Sequence, residues 1–317
     1  MIQTVVEVEF PVEERLRIQK NRIEPAAGSN GRRISIVTGI HGDELEGQYV
    51  CFAVQQRLRR HPEYLRGTVN IYPAMNPLGI DSVTRGIPAF DLDMNRIFPG
   101  REDSDMNEYI ASELIRDLAG SSLCLDIHAS NIYLTEIPQI RINELHRDRL
   151  VPLALHAGVD FIWVHGASTV LESTLAHSLN SRGTPTLVVE MGVGMRITHA
   201  YVEQLTDGIF CLMHRLGIWD GPVITPRTPA VSTNPDEVSF LNAPVSGIFI
   251  KEKPHGVSVQ KGEVLGRIVD PLRGEILSTI TAPQSGWLFT IREYPVVDQG
   301  SLIARILSRS PEVPHEN

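Results

Sequence analysis

The sequence predicts an α/β protein, a mixed sheet flanked by helices, followed by a smaller C-terminal all-β domain. Three observations carry this. From about residue 33 to 219, short β-branched runs alternate with longer amphipathic ones, the pattern of strands and helices layered around one sheet. Residues 220–236 then lose both periodicities and hold four prolines, as a linker does. After the linker, glycine-punctuated segments repeat: Ala243-Pro244-Val245-Ser246-Gly247-Ile248 recurs as Ala282-Pro283-Gln284-Ser285-Gly286-Trp287, and the run from Gly262 to Ile268 recurs as that from Gly300 to Ile306.

Taken in order, a strand over 34–37 leads into a helix over 45–60, and a strand follows at 69–72. A helix over 106–118 precedes a strand at 123–127. Helical stretches at 143–156 and 170–181 precede strands at 161–164 and 186–189, and a helix over 200–216 closes the series. In such sheets functional groups collect beyond the carboxyl ends of the strands. This places one domain over residues 1–222, with the linker and β-domain over 223–317. The duplication predicts a barrel-sandwich with pseudo-twofold symmetry, and its pattern resembles the lipoyl/biotinyl-like domains. Carrier domains of that kind need a lysine at the hairpin tip, where this chain has Asp270-Pro271-Leu272-Arg273-Gly274-Glu275. Arginine cannot form the amide to lipoate or biotin, so the β-domain reads as a lid or an assembly element.

A net charge of -9 and a pI near 5.7 argue against a nucleic-acid or membrane partner, which would demand clustered basic surface. An anionic small substrate remains compatible where arginines concentrate. Cys51, Cys124 and Cys211 sit in apolar runs without paired spacing, as buried free thiols do. No basic start or continuous apolar stretch marks a signal peptide, and no run approaches the ~18 apolar residues of a membrane span. The expected location is cytoplasmic, and the sequence leaves a homo-oligomer open.

His41 and Glu44, in Gly39-Ile40-His41-Gly42-Asp43-Glu44, form an i, i+3 pair after the first strand, where the first turn of a helix would aim both at one ion. Catalytic zinc keeps three protein ligands and an open position. His128, ending Leu123-Cys124-Leu125-Asp126-Ile127-His128, is the candidate third ligand, with Asp126 placed either to orient a ligand from behind or to cap a neighbouring helix. The plain alternatives are a helix-dipole role for Asp43 and Glu44 and a hydrogen-bonded strand-end histidine. Arg85, Asn95 and Arg96 lie in a third cluster, Asn76-Pro77, Thr84-Arg85 and Asp93-Met94-Asn95-Arg96. An arginine fork and an adjacent Asn can hold a carboxylate, and a second arginine can stabilise an oxyanion; arginines merely paired with Asp91, Asp93 or Glu102 are the alternative. Glu190 ends the apolar strand in Thr186-Leu187-Val188-Val189-Glu190, where a carboxylate is unfavourable unless something uses it. It is read as a general base, with a helix cap or buried ion pair as the alternative.

Taken together, these ordered motifs, with Glu190-Met191-Gly192, resemble the succinylglutamate desuccinylase/aspartoacylase family, a branch of the zinc carboxypeptidase-like fold. The resemblance covers residues 34–192 and extends to the β-domain. It implies one zinc ion per chain on His41, Glu44 and His128, Glu190 as general base, Arg85 polarising the scissile carbonyl, and Asn95 with Arg96 on the substrate carboxylate. The implied activity is hydrolysis of the amide bond of a small N-acyl amino acid or diamino acid. Asp93-Met94-Asn95-Arg96 departs from the family's Asp-Leu-Asn-Arg only by a volume-conserving swap. Arg182 and Tyr294 are candidate side-chain contacts, and residues 131–142 a specificity segment or a surface loop. Other histidines, including His61, His146, His156, His165, His177 and His199, read as surface or packing residues. Competing functions are a zinc metallocarboxypeptidase acting on peptides and a non-catalytic binding module.

Overall fold

The computed structural model describes residues 1–88, 90–166 and 172–308. The chain opens with an antiparallel hairpin, β1 (Ile2–Glu9) and β2 (Arg15–Ile23). Its alternation is masked in the sequence by exposed charges: Glu7 lies opposite Arg17 and pairs with it and with Arg15. Such cross-strand pairs suit an edge strand facing water.

The predicted series then follows: β3 (Arg33–Thr38), α1 (Glu46–Arg60), β4 (Thr68–Tyr72), a short α2 (Pro77–Ser82), α3 (Met106–Leu118) and β5 (Leu123–His128). Residues 131–142 are not a surface loop. They hold most of β6 (Leu134–Asn143), buried over nearly its whole length. Its Glu136, Gln139 and Arg141 hide the strand in the sequence, because Glu136 and Arg141 find each other across a bulge and find Arg305 and Glu190 only in the folded protein. There follow α4 (Arg147–Ala154), β7 (Phe161–His165), α5 (Leu175–Ser181), β8 (Thr186–Gly192) and α6 (His199–Arg215). The first residues of the stretch expected as helix 170–181, Val170 and Leu171, lie outside the described residues. Among the described residues no helix is long and apolar enough to cross a membrane.

The centre of the sheet runs β4-β3-β5-β8, all parallel, with β6 antiparallel beside β8. Strand alternation sorts the faces. Ile34, Ile36, Leu125 and Val189 pack with α1 and α6 through Val50, Val54 and Ile209. Val37 and Cys124 face the other way and pack with α3 and α5 through Ile110, Leu114 and Leu179. On β8 this period of two leaves Thr186, Val188 and Glu190 on the α5 side.

The stretch expected as linker is not wholly irregular: it holds β9 (Ala230–Ser232), which pairs parallel with β7. Past it come β10 (Val238–Asn242), β11 (Gly247–Lys251), β12 (Val257–Val259), β13 (Val264–Asp270), β14 (Glu275–Thr281), β15 (Gly286–Arg292), β16 (Val296–Val297) and β17 (Leu302–Leu307). The duplication is visible in the pairing: β11 pairs antiparallel with β13, and β15 pairs antiparallel with β17. A separate sheet, β14-β13-β11-β16, closes over a core that includes Phe249, Ile268, Leu288 and Ile306. The other strands join the main sheet, because β15 pairs with the start of β6, Thr290 opposite Glu136. A second apolar cluster, Ile137 and Phe161 with Trp287, Phe289 and Leu307, seals this junction. The C-terminal strands are thereby fixed beside the sheet face that carries Glu190.

Candidate active site

His41 and Glu44 lie in the turn between β3 and α1, not on the helix itself, which begins at Glu46. Local chain geometry holds the turn. Gly39 adopts φ +70°, and Gly42 sits so close to α2 that an added Cβ would fall 1.9 Å from the Gly79 carbonyl carbon. The Gly42 N–H donates to the carbonyls of Thr84, at 3.1 Å, and Arg85, at 3.3 Å, which brings the Arg85 loop over the pair. Asn76 serves this arrangement structurally, capping α2 through Gly79 N–H and donating to the Gly86 carbonyl.

The three expected ligands converge. His41 Nδ1 is 2.7 Å from Glu44 Oε1, His128 Nδ1 is 2.9 Å from Glu44 Oε2, and the two Nδ1 atoms are 3.3 Å apart. All three side chains are buried, and together they form a group able to hold a metal ion. The opposite ring nitrogens face carboxylates: His41 Nε2 lies 3.1 Å from Asp93 Oδ1, and His128 Nε2 3.0 Å from Asp126 Oδ1. A proton kept on each Nε2 leaves each Nδ1 lone pair aimed at the shared point, the tautomer that metal ligation requires.

Electrostatics tests the fit. Burial opposes charge on all three groups, yet His41 and His128 hold the Glu44 carboxyl far below its usual range. Against the same burial, Glu44 and Asp93 raise the proton affinity of His41, and Asp126 and Glu44 raise that of His128. The pocket is thus built to keep positive charge where two imidazoles and a carboxylate meet. A divalent cation supplies that charge without forcing two protonated rings together, and the N, N, O donor set suits zinc.

Glu190 stands opposite His128 in the β5–β8 register. Its Oε1 is 3.3 Å from Arg141 Nη1, and burial pushes its carboxyl above the ordinary range against the pull of Arg141 and His128. Arg85 Nη1 donates to Glu44 Oε1 at 3.0 Å, with its Nε 3.5 Å from Asp93. The Oδ1 of Asn95 accepts from Leu175 N–H at 2.9 Å, which leaves its amide NH2 as the end offered to an acceptor. Arg96 Nη1 donates to the Asn95 carbonyl at 2.8 Å. All seven expected site residues, His41, Glu44, Arg85, Asn95, Arg96, His128 and Glu190, line one cavity of about 300 Å³.

Other expectations fail. Arg182 donates to the Ser178 carbonyl, and Tyr294 packs edge-on to Tyr133; neither lines the cavity. His146, His165 and His177, read as surface or packing residues, do line it, brought there by the segments after β6, β7 and the start of α5. Arg141, read from the sequence only as part of the specificity segment 131–142, and Arg305, not read as a site residue, both contribute to the cavity wall.

A buried His/Glu/His group able to hold a metal ion, at the carboxyl ends of parallel strands and sharing one cavity with a carboxylate and arginines, is the donor set of a metal-dependent hydrolase. The chain belongs to the succinylglutamate desuccinylase/aspartoacylase family, whose catalytic-domain model matches residues 30–216. It is 26% identical over 278 residues to the N-alpha-acetyl-L-2,4-diaminobutyric acid deacetylase of Halomonas elongata, covering 84% of this chain and 80% of that one. Among solved structures it is similar to a succinylglutamate desuccinylase/aspartoacylase from Rhodobacter sphaeroides, with a TM-score of 0.80 and 22% identity over 96% of this chain and 95% of that one. The product-bound ectoine utilization protein EutE (DoeB) from Ruegeria pomeroyi gives a TM-score of 0.82 and 19% identity over 96% and 94%. These structural likenesses establish the fold, including the C-terminal unit.

Proposed function

We propose that this protein is a zinc-dependent deacylase that hydrolyses the amide bond of a small, anionic N-acyl amino acid or diamino acid. The observation that carries the reading is the single cavity in which His41, Glu44 and His128 converge beside Glu190, Arg85, Asn95 and Arg96. Its size and its wall from the C-terminal unit suit a small ligand better than a polypeptide, which favours deacylation over a metallocarboxypeptidase. The similarity to a deacetylase of N-acetyl-diaminobutyrate supports the diamino acid as a substrate class to test first.

Zinc bound to His41, Glu44 and His128 would supply Lewis acidity to water and to the amide oxygen. Glu190 takes the proton from the attacking water and delivers it to the leaving amine, a role matched to a carboxyl whose proton affinity is raised by burial. Arg141 holds Glu190 in place. Arg85 donates to the oxygen on which negative charge develops and so stabilises the transition state. Asn95 and Arg96 take the substrate carboxylate and so fix the amide between Glu190 and the metal end.

The test is a hydrolysis screen of the zinc-loaded protein against acetyl, succinyl and formyl derivatives of aspartate, glutamate, ornithine and diaminobutyrate. Release of free amine from at least one, lost in Glu190→Gln with zinc content unchanged, is the expected result. Cleavage of C-terminal residues from peptides in place of these amides would overturn it.

A further inference from the structure

One wall of the cavity holds a chain of alternating charges of which the proposed mechanism uses only the last two members. Arg305 on β17 pairs with Glu136 Oε1. Arg141 Nη2 donates to Glu136 Oε2 at 2.7 Å, and Arg141 Nη1 reaches Glu190 at 3.3 Å. The order is Arg305, Glu136, Arg141, Glu190, positive and negative in turn. Glu136 is fully buried, and Thr290 Oγ1 on β15 donates to it at 2.9 Å. A buried carboxylate is strongly unfavourable unless its charge and lone pairs are matched, and here the C-terminal unit supplies two of the partners.

Backbone geometry makes the chain continuous. Glu136 and Arg141 are five residues apart, which in a regular strand would place them on opposite faces. The register of β6 against β8 shifts between Glu136 and Gln139, and this bulge turns both side chains toward the face of Glu190. The guanidiniums of Arg141 and Arg305 both lie over the Trp163 ring, at 5.9 and 5.7 Å, which holds their planes.

We propose that Arg305 is a positioning residue of the active site: it takes up part of the Glu136 charge, so that Arg141 is left to hold Glu190. This rests on the role proposed for Glu190. Without Arg305 the order becomes negative, positive, negative. Arg141 is then drawn onto the fully buried Glu136, and Glu190 loses its anchor. The internal repeat supplies a matched contrast, since Arg267 occupies the equivalent position in the other half, half-exposed and paired with Glu252.

The experiment compares Arg305→Gln, Arg267→Gln, Glu136→Gln and the double variant Glu136→Gln/Arg305→Gln as folded, zinc-loaded proteins. Arg305→Gln is expected to lower kcat about tenfold with KM within about twofold and zinc content unchanged, the pattern of a group acting on the transition state alone. Arg267→Gln leaves both constants unchanged, and the double variant recovers most of the kcat lost. Wild-type kcat in Arg305→Gln overturns the proposal. So does a rise in KM alone, which would make Arg305 a substrate contact, or a loss that Glu136→Gln does not relieve. If Arg305→Gln does not fold, the double variant is compared with Glu136→Gln: kcat values within about threefold support the relay, and a further tenfold loss overturns it. Thermal melting of the metal-free protein gives a readout without turnover. Arg305→Gln and Glu190→Gln should depart from additivity by more than about 2 °C, and additive shifts overturn the relay. Coupling in melting without hydrolysis of any N-acyl amino acid would sink the proposed function and leave the relay standing.

Discussion

The two ends of the cavity are built in opposite ways. At the metal end, His41 and Glu44 come from one short turn, braced by α2 and the Arg85 loop, and His128 from the end of the next strand in the sheet, β5, so neighbouring parallel strands and their adjoining loops bring them within 3.3 Å. At the other end, Glu136 meets Arg305 across 169 residues, through a bulge in β6 and a docked β-domain. The first end needs only the parallel sheet and the loops at its strand ends to form. The second needs two structural units to meet in register, and its charges are satisfied only when they do.

The largest expected effect falls on the metal end. Chelation, or His128→Ala, should abolish turnover and take metal content from about one ion per chain to none, measured by elemental analysis with the hydrolysis assay. Turnover surviving chelation would break the comparison, because the converging nitrogens would then have no catalytic purpose. Next, Glu190→Gln should keep the metal and lower kcat by about 10³-fold, the range for loss of a general acid-base group. A kcat within tenfold of wild type would assign proton transfer elsewhere.

Arg85→Gln should lower kcat about 10²-fold with zinc still bound, as expected for loss of a donor to a developing oxyanion. Because Arg85 also touches Glu44, zinc titration of this variant sharpens the comparison: a metal deficit would place Arg85 with the ligands instead of the substrate. The smallest effect concerns acid. Burial raises the proton affinity of Glu136, but Arg141 and Arg305 outweigh it and hold the carboxyl below its ordinary value of 4.5. A lowered folded value means that this group stabilises the fold at pH above the unfolded value, and the contribution disappears as pH falls through the folded value. Wild type should therefore melt above Glu136→Gln at pH 7, with the gap shrinking below pH 4.5. A gap that stays constant down to pH 3 would show that the ion pairs contribute nothing to the docked state.

Legibility in the sequence followed the same division. The central parallel strands are continuous apolar runs, as strands buried on both faces must be, and their positions agree with the structure to within a few residues. The β1–β2 hairpin and β6 escaped because charged residues interrupt their alternation. In β1 those charges face water. In β6 they are paired inside the protein, which no local pattern reveals. Two histidines of the cavity wall, His146 and His177, likewise carry no spacing signal, since a helix and a 3-10 turn from different segments bring them together.

By itself the sequence determined the fold class, the repeat and the metal end, because a catalytic metal site draws its ligands from short motifs at strand ends, and those motifs survive as residue types at fixed spacing. Only the tertiary structure decided that Arg305 enters the cavity while its repeat counterpart Arg267 stays at the surface. The two arginines stand in the same local pattern. What separates them is the docking of one strand of the repeat beside a buried carboxylate, and charge compensation at a distance leaves no trace in local order.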